Sequence, residues 1–197
     1  MTGKLRPLRR IEGRTDELSD EALVAACATG DAAALGALID RFHKPVYQFV
    51  ARLLGDGGSE RDDLVQQTFV ELARSASRYR KGSAVRVWIF GIAANLTRNQ
   101  IRSFVRRRRM ETALASVPAV EIARPDEQLL RRELIERIEA ALGELPHSLR
   151  EAFVLCDLED VSAQEAAAAL GVRPGTIWRR VHEARQALRA ALDGGSA

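Results

Sequence analysis

Almost every patterned segment of the chain repeats its apolar residues with a period near 3.6, and no run of alternating β-branched residues interrupts them. A chain written this way has no strand with which to begin a sheet, so an all-α fold is expected. Asp20 to Thr29 and Ala32 to Leu54 read as the first two helices, with Pro45 inside the second. Gly55 to Asp63, "GDGGSERDD", reads as a loop with an acidic end, because anions are stabilised at helix N-termini. Asp62 to Ser75 is the third helix, and a turn around "SRYRKGS" follows it. Then comes "VWIFGIAANLTRNQIRSFVRRRR", Val87 to Arg109, which begins like a core helix and ends in four consecutive arginines.

Between Glu111 and Pro125 the helical pattern collapses into Ala, Ser, Val and two prolines, which predicts a linker. The expected organisation is two small helical domains joined by a flexible linker: a polar tail (1–19), a first domain (20–110), the linker (111–125), a second domain (126–192) and a short tail (193–197). A length of 197 residues accommodates this division. In the second domain "DEQLLRRELIERIEAAL" is one helix and "LPHSLREAFVLCDL" another, with Pro146 suited to a first helical turn. Ser162 and Glu165 have the S-x-x-E spacing of a capping box opening "AQEAAAALG". Gly171 closes that short helix, and Pro174 starts a longer one reaching about Leu192.

A short helix, a glycine turn and a longer helix have the spacing of a helix-turn-helix. Ile177, Val181, Ala184 and Leu188 give the last helix one apolar face, while Thr176, Arg179, Arg180, His182 and Arg185 occupy the others. Arg173 and Thr176 stand at its N-terminal turn, the part of such motifs that enters a major groove. Arginine can donate two parallel bonds to guanine, and threonine can bond a base or touch a thymine methyl. An ordinary α-hairpin with a basic outer face is the plainer alternative.

The net charge of +3 hides an asymmetry. From Leu72 to Met110 there is no Asp or Glu, yet the window holds eleven cations, so the remainder is net acidic. A basic block of that kind points to a polyanion-binding face. Laid out at about 100° per residue, Trp88, Ile89, Ile92 and Leu96 share an apolar stripe, and Asn95, Arg98, Asn99 and Arg102 form an adjoining polar edge. Phe90, Ile101 and Phe104 make a second apolar patch. Asn and Arg can read bases, whereas the terminal arginines, Arg106 among them, suit phosphates. Tyr79, Arg80, Lys81 and Trp88 surround a glycine-containing loop, and aromatic groups beside cations are what unpaired bases stack on. For Trp88, plain core packing is the alternative.

Cys27 and Cys156 match no metal or disulfide spacing, which fits a reducing compartment. Acidic residues separate basic Lys4 to Arg10 from Ala- and Leu-rich Ala22 to Ile39, unlike a secretory signal. No stretch approaches the roughly 18 apolar residues of a membrane span. A cytoplasmic protein without direct membrane insertion is expected. His43, His147 and His182 lack companion ligands at metal spacing, and no glycine-rich phosphate loop occurs, so neither catalysis nor a metal or cofactor is expected.

The segment "DDLVQQTFVELARSASRYRKGSAVRVWIFGIAANLTRNQIRSFVRRRR" resembles region 2 of bacterial sigma factors, particularly the extracytoplasmic-function group, and "LGELPHSLREAFVLCDLEDVSAQEAAAALGVRPGTIWRRVHEARQALRAAL" resembles their region 4. The resemblance implies a non-catalytic specificity subunit that directs core RNA polymerase to promoters and melts them. It places the β′ clamp helices against Asp62, Asp63, Leu64, Gln66, Gln67 and Phe69. It implies capture of a flipped minus-ten base in the loop from Ser77 to Ala84, with the duplex edge and non-template strand at Trp88, Asn95, Arg98, Asn99 and Arg102. The helix from Pro174 to Leu192 would enter the minus-thirty-five element and dock on the β flap. An anti-sigma partner is usual in this group. Two positions depart from the family: an acidic residue is common where Asn99 stands, and a small or charged residue where Trp178 stands. Trp178 could pack on the neighbouring helix, touch a thymine methyl or meet a partner. Two rival readings are a helix-turn-helix regulator acting without polymerase, which leaves the region 2 pattern unexplained, and a decoy that occupies polymerase without opening DNA.

Overall fold

The computed structural model describes residues 17–55, 60–80, 82–111 and 137–193, with side chains described except over 105–111. Within these residues the regular structure is helical throughout. Helix α1 (Asp20–Ala28) starts at Ser19, whose hydroxyl accepts the Ala22 amide at 3.2 Å. Helix α2 (Ala32–Leu54) starts at buried Asp31, whose carboxylate accepts the amides of Ala33 and Ala34 at 2.8 and 3.2 Å. Such caps satisfy amides that have no partner inside the helix. Pro45 is carried inside α2, and Gly55 ends it with φ 66°.

Helix α3 (Arg61–Ser75) runs into a single 3-10 turn, Ala76–Arg78, and then α4 (Val85–Glu111) crosses both α2 and α3. Stacked rings of Phe49 and Phe90, 4.5 Å between centroids and fully buried, lock α2 to α4. The expected apolar stripes of α4 are displaced. Of Trp88, Ile89, Ile92 and Leu96, only Ile89 is fully buried, the other three pack partly buried against the core, and Phe104 is 46% exposed. The deepest face instead holds Ile89, Phe90, Ala93, Ala94 and Thr97. Alanine lets neighbouring helices come close, and Thr97 satisfies its hydroxyl by donating to the Ala93 carbonyl at 2.9 Å.

The second group of helices comprises α5 (residues 137–144), α6 (His147–Phe153), α7 (Ala163–Leu170) and α8 (Pro174–Asp193). Pro146 caps α6 in an extended conformation rather than sitting in its first turn. The segment read as one helix to Leu158 widens after Phe153 into a π turn, Val154–Leu158. Both halves of the Ser162–Glu165 capping box form, and Gly171 closes α7 in the left-handed conformation at φ 66°. Ile177, Val181, Ala184 and Leu188 of α8 are all buried, as their spacing predicts. The sequence-predicted linker and both tails fall largely or wholly outside the described residues, as does the first part of the helix expected from Asp126.

The two groups of helices are in contact, and their buried residues form one continuous core. Helix α7 lies against α4 at Gly91, where a Cβ would stand 2.9 Å from the Ala169 carbonyl oxygen and 3.2 Å from its Cβ. Buried Arg150 of α6 reaches the end of α2, donating to the Leu53 carbonyl at 2.8 Å as well as to its own domain's Leu145 carbonyl at 3.1 Å. Burial holds this guanidinium below its ordinary pKa, opposed by the carboxylate of Glu144.

Candidate nucleic-acid interface

On α4, Gly91, Asn95, Arg98 and Arg102 follow one another at i, i+4, i+7 and i+11, which puts them on one face of the helix. Asn95, Asn99 and Arg102 are exposed, as a DNA-reading edge requires. Arg98 is half-buried and occupied: Nε and Nη2 donate to the two carboxylate oxygens of Glu151 at 3.1 and 2.9 Å, and Nη1 donates to Asn95 Oδ1 at 3.3 Å. Glu151 is 1% exposed and also meets His147 Nε2 at 3.0 Å. Burial pushes its carboxyl pKa up, but the bonds from His147 and Arg98 outweigh this and hold it below the usual carboxylate value.

At the start of α4 the Tyr79 and Trp88 rings meet tilted, 5.1 Å between centroids. The Tyr79 hydroxyl donates to the Ser83 carbonyl and so closes the loop between them. Trp88 is half-buried with one side against the core, while Arg80 is exposed. Lys81 lies outside the described residues, and the side chain of Arg106 is among those not described. Arg86, overlooked as a partner-making residue, lies over the Phe90 ring at 5.0 Å and donates to Glu159, which also accepts from Arg52. Glu159 is 6% exposed, so this is a buried carboxylate between two cations.

Arg173, just before α8, and Trp178 and Arg179 on it are exposed, and Thr176 and Arg180 are half-buried. Trp178 is 67% exposed, so it does not pack on the neighbouring helix. Arg185 is exposed but fixed: Nε and Nη2 donate to the Asp157 carboxylate at 2.8 and 2.6 Å, from the π turn after α6. Arg179 stands 3.7 Å from Glu183.

A third surface lies between α2 and α3, a groove lined by Leu35, Ile39, His43, Asp62, Gln66 and Val70. Asp62, Asp63, Gln66 and Gln67 are exposed there, whereas Leu64 and Phe69 are 3% and 5% exposed and belong to the core. Val70, at 48% exposed, is the apolar residue the groove offers outward, and its half-apolar surroundings gave no signal in sequence. Among the described residues no three His, Cys, Asp or Glu side chains gather in a metal-binding group. Nor is any described helix long and apolar enough to cross a membrane.

Comparison with known proteins agrees with this arrangement. Residues 38–109 match the family described as Sigma-70 region 2, and residues 135–188 match Sigma-70, region 4. The chain is 36% identical over 183 residues to the ECF RNA polymerase sigma factor SigE of Mycolicibacterium smegmatis, covering 89% of this chain and 70% of the relative. It is 29% identical over 182 residues to the ECF RNA polymerase sigma-E factor of Salmonella typhimurium, covering 88% and 94%. Among solved structures, CnrH in complex with the cytosolic domain of CnrY is similar with a TM-score of 0.66 and 29% identity, covering 90% of this chain and 99% of that one. The sigma factor RpoE in complex with the anti-sigma factor NepR from Bartonella quintana shares the fold, with a TM-score of 0.62 and 24% identity over 79% of this chain and 94% of that one.

Proposed function

This chain belongs to the extracytoplasmic-function sigma factors of the sigma-70 family, and from that membership we propose how its parts share the work of promoter-specific initiation. It directs core RNA polymerase to promoters, recognising the minus-ten and minus-thirty-five elements and opening the duplex. The observation that carries the assignment is the pair of matched regions, in order, on one chain.

In this reading the exposed face of α3, with Asp62, Asp63, Gln66 and Gln67, docks on the β′ clamp helices. Leu64 and Phe69 hold that face in place from beneath. Tyr79, Arg80, Lys81 and Trp88 receive a base extruded from the minus-ten element, and Asn95, Arg98, Asn99 and Arg102 follow the adjoining strand, with Arg106 on phosphate. Opening a duplex costs a few kcal/mol per unstacked base, and stacking of a captured base offsets it. In the second domain Arg173, Thr176, Arg179, Arg180 and Arg185 meet the minus-thirty-five element, with the same domain on the β flap. The two weak DNA modules gain affinity by effective concentration once polymerase sets their spacing.

The residues of the chain perform no bond-making chemistry in this scheme; the protein is a specificity subunit working beside polymerase in the cytoplasm. A partner of the anti-sigma class fits too, since the similar CnrH and RpoE structures are complexes. Reconstitution with core enzyme tests the proposal: permanganate reactivity of unpaired thymines should arise at promoters of its own genome only when this chain is present. If no promoter opens, the assignment of these roles is wrong.

A further inference from the structure

The two groups of helices do not close completely along their seam. A cavity of about 410 Å³ lies between α4, the start of α6 and the turn from α7 to α8, a volume in the range of small-molecule sites. Part of its lining is apolar, from Ile101, Leu170 and Val172. Another part is cationic: Arg102 comes from α4 and Arg180 from α8, with His147 and Ser148 of α6 beside them. The other cations of the seam are matched. Arg98 has Glu151, Arg52 and Arg86 share Glu159, and buried Arg150 has backbone carbonyls. Arg102 and Arg180 have neither a carboxylate nor another acceptor among the described residues. The carboxylate that does line the cavity, Glu151, is already taken by Arg98 and His147. With Nε2 of His147 turned to Glu151 at 3.0 Å, its Nδ1 is buried and has no hydrogen-bond partner among the described residues. Two cations brought to one cavity repel each other, the more so as water is excluded. An anion between them turns that repulsion into two charge-assisted pairs.

We propose that this cavity is a binding site for a small organic phosphate of the nucleoside diphosphate class. Arg102 and Arg180 take the phosphoryl oxygens, since the planar guanidinium fork matches phosphate geometry. His147 Nδ1 accepts from a ribose hydroxyl, and the Ser148 hydroxyl adds a further hydrogen bond. The base lies on the apolar lining of Ile101, Leu170 and Val172. A bare oxyanion uses the cationic lining alone and leaves that apolar part in water, which is why the ligand is organic. The site draws its lining from both groups of helices, so occupancy tightens their contact. Arg102 and Arg180 are also proposed to meet promoter DNA, so nucleotide and promoter compete for them. The site itself does not depend on that reading.

Titration calorimetry of the full chain at fixed ionic strength, without DNA or polymerase, tests the site with ADP, GDP and inorganic phosphate. Both nucleotides should bind, and inorganic phosphate about tenfold more weakly for want of the apolar contact. Arg102→Gln/Arg180→Gln should weaken nucleotide binding by about a hundredfold, an order of magnitude for each charge-assisted pair. Arg74→Gln/Arg189→Gln removes the same charge from exposed positions outside the cavity and should bind as wild type does. Photolabelling of the wild-type chain with an azido-ADP gives a second reading that needs no variant: label should fall on peptides carrying Ile101 or Val172. Absence of nucleotide binding overturns the site, as does an equal loss in the two double variants, which would mark diffuse attraction to a basic surface. Inorganic phosphate bound as tightly as ADP overturns the nucleotide class, and label confined to other peptides overturns the location. None of these measurements involves promoter or core enzyme, so a failed site leaves the sigma-factor reading standing. That reading fails separately, if wild-type holoenzyme opens no promoter.

Discussion

Arg98 and Glu151 meet through both carboxylate oxygens although they stand 53 positions apart in the sequence. The pair joins a helix assigned to DNA with one from the other domain, and the carboxylate end is almost completely buried. Its geometry leads directly to a pH dependence.

Glu151 is held below the ordinary carboxylate pKa in the folded chain, so its ionised form is the one folding favours. The contribution is complete above the unfolded value, about 4.3. It is lost as pH falls through the depressed folded value. Melting temperature should therefore stay level in its Glu151 component from pH 7 to about 5, then fall more steeply in wild type than in Glu151→Gln. Calorimetry across that range checks it; equal acid slopes would remove Glu151 from the account.

Phe49→Ala should cost about 3–5 kcal/mol of unfolding free energy, since it empties one side of a fully buried stacked pair. Trp178→Ala should change stability by less than about 0.5 kcal/mol, because that ring is mostly in solvent. Urea denaturation separates the two. If Trp178 touches a thymine methyl, the same substitution weakens minus-thirty-five binding without disturbing the fold; unaltered promoter binding leaves a partner surface as its role.

Ser162→Ala removes the hydroxyl that accepts the Glu165 amide, keeps the bond from the Ser162 backbone amide to the Glu165 carboxylate, and should cost about 1 kcal/mol. Because α7 packs on both α8 and α4, the loss should be visible as faster amide exchange in α7 and earlier unfolding of the second domain. Exchange unchanged in α7 would mean that packing alone holds the helix.

Arg173→Ala and Arg179→Ala probe the exposed entry turn of α8. A phosphate-contacting arginine lost there should lower affinity evenly across promoter sequences and reduce the salt slope by about 1. One that reads guanine should cost about 1–3 kcal/mol and relax preference at a single base pair. Binding of holoenzyme to a promoter series at several salt concentrations distinguishes these outcomes, and no change in either measure would take the residue out of the interface.

The local devices of this fold are legible in the sequence because each is fixed by neighbours a few residues away. Ser162 with Glu165, Gly171 and the spacing of Ile177, Val181, Ala184 and Leu188 all carry their structural consequence in their own segment. The apolar face of α4 was only partly legible, because Ala93, Ala94 and Thr97 become core residues through close helix approach rather than through bulk. The seam was not legible at all. Glu151 sits in "HSLREAF" like any solvated residue of a short helix, and only tertiary placement gives it Arg98 and His147. The ion pair of Arg185 is illegible for the same reason, since Asp157 lies 28 residues away on an unforeseen π turn. Nothing around Gly91 in the sequence gives its reason, which is a neighbour from the other domain.

The chain contains two tryptophans, and the fold sends one to each surface proposed to meet DNA: Trp88 half-covered beside Tyr79, and Trp178 standing in solvent on α8. The protein thus carries its own pair of optical reporters, unlike in environment and separable by changing either one to phenylalanine. Engagement of the upstream element would be written in the emission of Trp178 and strand separation in that of Trp88, so the order of the two events can be timed on unlabelled protein.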